Sequence, residues 1–364
     1  MEELAFKTAV ELASGIRNKT YSSLELTQLY IDRIEKKDEH INAVVVRVFN
    51  QALDAARQAD TQLTKGEIRG PLHGVPMTIK ESYVIANTPT TFGLEEFRNN
   101  VPKQDGLTVL RFKAAGAHFL GKTNVPVSLA DFQSYNPIYG VTGNPWNIER
   151  TPGGSSGGSA AALAAGFTAL EAGSDIGGSI RNPAHFCGVF GHKPTWGVIP
   201  MQGHELAKHN PEPDLAVCGP LARCAEDLSM ALDIMAGPVE RESVGWNLAL
   251  PESDITSFKG LRVALWPNDE LAPVSQETQE RVAEVGRIVE RQGGIISDTA
   301  RPQFDVRQAH VAYQSLLNSV MSAGLSDAQF ERAQNVAKGL SSEDVSLDGV
   351  ARRARVLSHR DWLR

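Results

Sequence analysis

Apolar residues recur along the chain with two different periods, and each period predicts one kind of secondary structure. Short β-branched runs bounded by glycine or proline predict strands at 41–49, 75–80, 117–121, 260–266 and 293–297. Apolar residues spaced three or four apart, or runs rich in alanine, predict helices at 5–17, 22–37, 51–65, 107–115, 159–170 and 276–292. Ser22 and Glu25 have the spacing of a capping box, which places the start of the second helix at that serine.

Strands and helices alternate along the chain, which is typical of an α/β fold. We therefore predict one large domain over 1–364, with a mixed, mostly parallel sheet that is covered by helices on both faces. A chain of 364 residues could also hold two average domains, but the sequence contains no internal repeat and no clear linker.

The final segment, SLDGVARRARVLSHRDWLR, keeps a helical pattern up to its last residue and has no terminal glycine or proline that would end a helix. Domains usually end in an exposed, capped segment. We therefore expect the domain to lack its C-terminal part.

Composition and charge exclude several classes of protein. A net charge of −7 and a pI near 5.8 give no basic surface for nucleic acid, and the apolar runs are too short to span a membrane. The N-terminus lacks the basic region of a signal peptide. The three cysteines form no C-x-x-C pair, which favours reduced thiols in a cytoplasmic protein.

The sequence between 151 and 183 is the strongest candidate for a functional site. Two loops of glycine and serine, 151–158 and 173–179, flank the predicted helix at 159–170. Glycines let backbone N–H groups converge on a bound group, or let the chain adopt positive φ angles. Residues 153–157 also fit the G-x-S-x-G nucleophile elbow, but an elbow follows a strand, whereas prolines and charged residues precede this serine.

A nucleophilic serine needs a base, and both histidine and lysine are candidates. His185 or His192 could complete a Ser-His-Asp triad. Lys80 ends an apolar strand, where burial would lower its affinity for a proton and make it a base, although its position alone favours a lysine that points into solvent. His204 and His209 are five residues apart, about 140° around a helix, so they share no metal-binding face and we expect no metal site.

The stretches GGSSGGSAAALAAG and GSDIGGSIRNPA resemble the signature of the amidase signature family, residue by residue. The upstream stretch GVPMTIKES resembles the strand that carries the family's lysine, and KTNVP, NPWN and GHKPTWG also fit the family pattern. One position departs from that pattern, because an aspartate commonly follows the family's lysine and Glu81 stands there in this chain.

The resemblance implies a Ser-Ser-Lys triad, with Ser179 as the nucleophile, Ser155 as the bridging serine and Lys80 as the base. It also implies a cis peptide bond between Gly154 and Ser155. Backbone N–H groups would form an oxyanion hole and a nearby loop would form the substrate pocket; the implied residues are Ile176, Gly177, Gly178 and Ser179 for the hole, and Leu129 and Asp131 for the pocket. The triad requires no metal and no organic cofactor.

The implied activity is that of an amidohydrolase, which cleaves the C–N bond of a non-peptide carboxylic amide to an acid and ammonia or an amine through an acyl-enzyme. We expect a small-molecule substrate and allow for a homodimer. Two alternatives stay open: the glutamine-hydrolysing component of an aminoacyl-tRNA amidotransferase, which needs partner chains, and an inactive truncated member of the family. The stretch NVPVSLADFQSYNPIYG resembles stand-alone amidases more than those amidotransferase components.

Overall fold

The computed structural model describes residues 2–206, 212–342 and 344–362. His209, one of the two histidines compared above, lies outside the described residues. The sequence predicted one domain over 1–364, and the chain has two compact units, Met1–Leu248 and Ala249–Arg364. Each unit is described by itself below.

The first unit combines helices with short strands, as the alternating pattern predicted. Its described helices are α1 (Ala9–Arg17), α2 (Ser23–Ile41), α3 (Phe49–Thr64), α4 (Leu107–Ala114), α5 (Gly157–Ala164), α6 (Arg181–Cys187) and α7 (Ala225–Met235). Its described strands are β1 (Val44–Arg47), β2 (Pro76–Lys80), β3 (His118–Thr123), β4 (Tyr135–Asn136), β5 (Gly140–Val141), β6 (Leu170–Asp175), β7 (Phe190–Gly191) and β8 (Val217–Ala222). Single 3-10 turns occur at Glu2–Phe6, Glu95–Phe97 and Val127–Leu129.

The described strands of this unit pair in small sheets of mixed direction. In one sheet, in the order β1-β3-β2, β3 runs antiparallel to β1 and parallel to β2. In another, in the order β6-β8-β7, both pairs are antiparallel, and β4 pairs with β5 as a short hairpin. The predicted α/β fold with mixed strand directions is therefore confirmed, and antiparallel pairs are more common among the described strands than the predicted parallel ones.

Helix α2 begins where its capping box predicted. The Glu25 amide donates to Ser22 Oγ at 3.0 Å, and the Ser22 amide donates to Glu25 Oε2 at 2.7 Å. The helix continues past the predicted end at 37 to Ile41, and Asn42 ends it in the left-handed conformation with φ of 56°. No helix of the described residues, α2 included, is long and apolar enough to cross a membrane.

The predicted helix at 159–170 is wrong in its second half. Helix α5 ends at Ala164, Gly166 turns the chain with φ of 68°, and β6 then begins at Leu170 and runs to Asp175. Every residue of β6 is buried. A strand that is buried on both faces shows no alternation of apolar and polar residues, so its period cannot be told from that of a buried helix.

The second unit contains a β-α-β motif followed by helices. Strand β9 (Arg262–Ala264) pairs in parallel with β10 (Ile295–Ser297), and α8 (Gln276–Arg291) connects them. These three elements agree with the predictions at 260–266, 276–292 and 293–297. The remaining described helices are α9 (Val306–Met321), α10 (Asp327–Lys338), α11 (Leu347–Ala354) and α12 (His359–Trp362).

A buried carboxylate in the first unit joins α7 to the start of α1, 218 residues earlier in the sequence. Asp227 of α7 accepts hydrogen bonds from the first amides of α1, Ala9 N at 2.7 Å and Val10 N at 3.0 Å. These amides have no partner within their own helix, and the positive end of the helix dipole favours an anion at this position.

We expect Asp227→Ala to lower the free energy of unfolding by about 2–4 kcal/mol, because two amides at the start of α1 would lose their acceptor. Urea denaturation of the variant and of Asp233→Ala, an exposed aspartate on the same helix, provides the measurement and its control. Equal midpoints for the two variants would contradict this role of Asp227.

Candidate active site

Lys80 is the last residue of β2, a strand whose residues are all buried. The lysine side chain is itself fully buried, so the alternative of a lysine that points into solvent is wrong. Lys80 Nζ donates to Ser155 Oγ at 2.7 Å and to Ser174 Oγ at 2.9 Å. Burial lowers the pKa of Lys80 to about 7, although the negative charge of Asp175 opposes this shift. Near neutral pH, a large fraction of this amine is uncharged and can accept a proton.

Ser155 follows a cis peptide bond from Gly154, as the family resemblance implied. The bond lies shortly before α5, and residues 142–154 immediately before it contain no strand, so the described structure agrees with rejecting the nucleophile elbow. A Cβ atom on Gly154 would lie 2.6 Å from the Gln133 carbonyl oxygen. The absence of a side chain at Gly154 therefore lets the loop around Gln133 approach the Ser155 backbone closely.

The turn that carries Ser179 is built around Asp175, the last residue of β6. The Asp175 carboxylate accepts from Gly178 N at 2.8 Å and from Ile180 N at 3.0 Å, and it pairs with Arg181 Nη2 at 2.8 Å. Burial alone would raise the pKa of Asp175, but the hydrogen bonds from Arg181 and the Ile180 amide hold it below its ordinary value. Asp175 and Arg181 therefore hold the shape of the turn.

Of the four backbone amides predicted for the oxyanion hole, that of Gly178 already donates a hydrogen bond within the protein. Because Gly178 N–H donates to Asp175, the prediction that Gly178 contributes a free amide is corrected here. Within the described residues, the amides of Ile176, Gly177 and Ser179 have no acceptor. Ile176 and Gly177 are partly exposed, and Ser179 is 6% exposed, so a ligand could reach this edge of the turn.

The three predicted catalytic residues come together only in part. Lys80 and Ser155 are hydrogen-bonded, and the loop of Ser155 contacts that of Ser179 through Ser156 N, which donates to the Ser179 carbonyl oxygen at 3.0 Å. Among the hydrogen bonds of the described residues, none joins the hydroxyl groups of Ser155 and Ser179. The second half of the predicted relay therefore stays a prediction.

The predicted pocket residues lie on a loop beside both serine loops. Leu129 has a left-handed backbone with φ of 56°, and the Asp131 carboxylate accepts from the Tyr135 hydroxyl at 3.2 Å. A Cβ atom on Gly178 would lie 3.3 Å from the ring of Phe132. This half-exposed loop therefore borders the turn of Ser179, which is consistent with the predicted pocket wall.

The histidines considered as alternative bases form no hydrogen bond to Ser155 or Ser179 within the described residues. His185 is exposed on α6, and His192 is half-buried. Neither side chain has a hydrogen bond to Ser155 or Ser179 within the described residues. His204 is buried and lies 2.8 Å from Ser82 Oγ through Nε2. The structure thus places Lys80, and none of these histidines, beside Ser155.

Sequence reasoning missed Ser174, the second partner of Lys80, and Glu171, a fully buried carboxyl group on the same strand. Both lie in a segment whose sequence pattern predicts the end of a helix and the start of a turn. Polar side chains in a fully buried strand need hydrogen-bond partners inside the protein. Correct assignment of β6 as a strand would therefore have identified Glu171 and Ser174 as buried polar residues with such partners.

The fold and the site together define a class of protein: an α/β protein in which a buried lysine contacts a serine after a cis peptide, next to a glycine-rich turn with a second serine. The family model described as Amidase matches residues 25–356 of this chain. The chain belongs to the amidase signature family.

Relatives with known names fall into two groups. The glutamyl-tRNA(Gln) amidotransferase A subunit of Carboxydothermus hydrogenoformans is 35% identical over 305 residues, which cover 82% of this chain and 62% of that protein. The acylamidase of Rhodococcus erythropolis is 37% identical over 306 residues, covering 83% of this chain and 63% of that protein. The chain thus spans about three fifths of the length of these two relatives.

Solved structures show the same fold. A fatty acid amide hydrolase matches with a TM-score of 0.78 and 29% identity, covering 87% of this chain and 56% of that one. A bacterial aryl acylamidase of the amidase signature family matches with a TM-score of 0.78 and 26% identity, covering 96% of this chain and 76% of that one.

We expect Gly154→Ala to disrupt the site, because the added methyl group would overlap the carbonyl oxygen of Gln133 and displace Ser155 from Lys80. A displacement of about 1 Å can lower kcat about 100-fold. Amide hydrolysis by Gly154→Ala should be compared with that by Gly245→Ala, where the nearest atom to the new methyl would lie 3.7 Å away. Equal activity of the two variants would contradict this prediction.

Proposed function

We propose that the chain is an amidohydrolase that cleaves a small carboxylic amide through an acyl-enzyme on Ser179. The observation that carries this proposal is the buried contact of 2.7 Å between Lys80 Nζ and Ser155 Oγ, beside the turn that carries Ser179. Family membership supports the same chemistry, and the names of acylamidases among its relatives support an amide substrate.

In the proposed acylation step, uncharged Lys80 accepts the proton of Ser155 while Ser155 accepts the proton of Ser179. The Ser179 oxygen forms a bond to the carbonyl carbon of the amide. The charge that develops on the carbonyl oxygen is stabilised by the amides of Ile176, Gly177 and Ser179, which have no other acceptor within the described residues.

Collapse of the tetrahedral intermediate breaks the C–N bond. The proton held by Lys80 returns through Ser155 to the leaving nitrogen, which departs as ammonia or an amine. Water then replaces Ser179 as the nucleophile on the acyl-enzyme: one of its protons passes along the same relay, and Ser179 regains its hydroxyl proton as the acid is released. In each half-reaction Lys80 accepts one proton and then releases it, so the lysine is uncharged again at the end.

A second function is favoured by the relatives that are named as components of a glutamyl-tRNA(Gln) amidotransferase. The same triad would then hydrolyse glutamine, and the chain would work with partner chains. Assays of the chain alone on glutamine, primary amides and anilides separate the two functions. Hydrolysis of simple amides by the chain alone favours the amidohydrolase, and glutamine hydrolysis that requires added partner chains favours the amidotransferase component.

We expect Ser179→Ala to abolish acyl-enzyme formation, because it removes the attacking oxygen. Ser155→Ala and Lys80→Ala should each lower kcat by about 10²–10⁴-fold, since one proton-transfer step is lost. A fluorophosphonate probe, mapped by mass spectrometry, should label Ser179 in the wild type and in Ser243→Ala, an exposed control. Label on Ser155 or Ser156 would show that the nucleophile is assigned wrongly.

The pKa of Lys80 predicts the pH dependence of the reaction. Since burial lowers this pKa to about 7, the ammonium form dominates below that pH and cannot accept a proton. The value of kcat/KM should therefore rise with pH through about 7 and then reach a plateau. A flat profile between about pH 5 and pH 9, or a limb that disappears only in His185→Ala, would contradict a lysine base.

A further inference from the structure

The strand that carries the proposed base and the strand that leads to the proposed nucleophile lie side by side without a backbone ladder. Backbone hydrogen bonds pair β2 with β3 and β6 with β8, and none joins β2 to β6 within the described residues. Side chains connect the two strands instead. Lys80 Nζ donates to Ser174 Oγ at 2.9 Å, and Thr78 Oγ1 donates to Glu171 Oε1 at 2.5 Å.

Glu171 is the unexpected member of this pair. Its side chain is fully buried, and among the described residues it forms no ion pair and its Oε2 has no hydrogen-bond partner. A buried carboxylate without a cation is costly. Burial accordingly raises the pKa of Glu171 to about 8, against the effect of the Thr78, Ser159 and Thr123 hydroxyls and the Ala172 amide. The carboxyl group is therefore largely uncharged at neutral pH.

Thr78 stands two residues before Lys80 on β2, so both side chains lie on the same face of the strand. Glu171 stands three residues before Ser174 on β6, so these two side chains lie on opposite faces of that strand. The contact between Thr78 and Glu171 and the contact between Lys80 and Ser174 therefore join β2 to β6 at two separate points. A shift of one strand along the other would break both contacts together.

We propose that Glu171 is a positioning residue: its carboxyl group accepts a hydrogen bond from Thr78, and this contact fixes β2 to β6 and so sets the position of Lys80 relative to Ser174 and Ser155. This inference rests on the proposed function, in which Lys80 is the base. It assigns to Glu171 no contact with substrate.

The charge state of Glu171 matters because other ionisable groups share this buried region. Besides Glu171, the buried titratable side chains on β6 and on strands β2, β3 and β8 are Lys80, His118, Lys122, Asp175 and Cys218. A negative charge on Glu171 would raise the pKa of Lys80. An uncharged Glu171 leaves the lysine free to act as a base at neutral pH.

The test uses Glu171→Gln, Glu171→Leu, Thr78→Val and the double variant Thr78→Val/Glu171→Leu. Glutamine keeps an uncharged group that accepts from Thr78, so kcat and the acidic limb of the pH profile should match the wild type. Each apolar single variant should lower kcat about 10- to 100-fold with little change in KM, and should lower Tm, because one buried polar group loses its partner.

The double variant separates positioning from stability. It removes both partners of the Thr78–Glu171 hydrogen bond, and the nearby Ser159 and Thr123 hydroxyls still pair with each other. Its Tm should therefore recover toward that of the wild type. Its kcat should stay low, because the connection between the strands is still missing. Recovery of kcat together with Tm would overturn the proposal, and so would an acidic limb that moves to lower pH in Glu171→Gln, since that shift would show a charged Glu171.

Hydrogen exchange gives a measurement that needs no activity. Amides of β2 should exchange faster in the double variant than in the wild type or Glu171→Gln, and unchanged exchange in the double variant would overturn the proposal. If the wild type hydrolyses no amide and takes up no fluorophosphonate, the proposed function fails, while hydrogen exchange still decides the role of Glu171. If the wild type is active and every Glu171 variant matches it, only the role of Glu171 fails.

Discussion

The contact between the Lys80 amine and the Ser155 hydroxyl is the interaction on which the site depends. It forms because β2 is buried on both faces and ends at the lysine, so the amine has no access to water and lies 2.7 Å from the serine. The same burial lowers the pKa of the amine to about 7. One structural fact therefore accounts for both the position of the base and its chemical competence.

Side chains, more than backbone pairing, assemble this site. Lys80, Ser155 and Ser179 come from three different segments, and polar side chains outside the proposed triad hold two of these segments. Asp175 folds the turn of Ser179 through two amides and Arg181, and Ser174 gives Lys80 its second partner. Glycine at 154 allows the pocket loop to approach the bridging serine.

The sequence predicted the parts of this protein that have a local signal. The capping box at Ser22 and Glu25 marked the start of α2, and the serine-glycine motifs marked the site loops, because both depend on neighbouring residues alone. Strand β6 was missed because uniform burial removes the periodicity that identifies a strand. The burial of Lys80 follows from tertiary contacts, so no local pattern could reveal it. The engagement of the Gly178 amide by Asp175 is a local contact, but the prediction of the oxyanion hole considered only the glycines of this turn and not the acceptor three residues before Gly178.

The central claim is that Lys80 is an uncharged base near neutral pH, and direct titration of its amine tests that claim most directly. Lysine side chains labelled with ¹⁵N can be followed by NMR across pH, with Lys80 assigned by the signal that disappears in Lys80→Met. The account predicts that Lys80 titrates with a pKa of about 7. A pKa near the value of about 10.4 for a solvent-exposed lysine would contradict it.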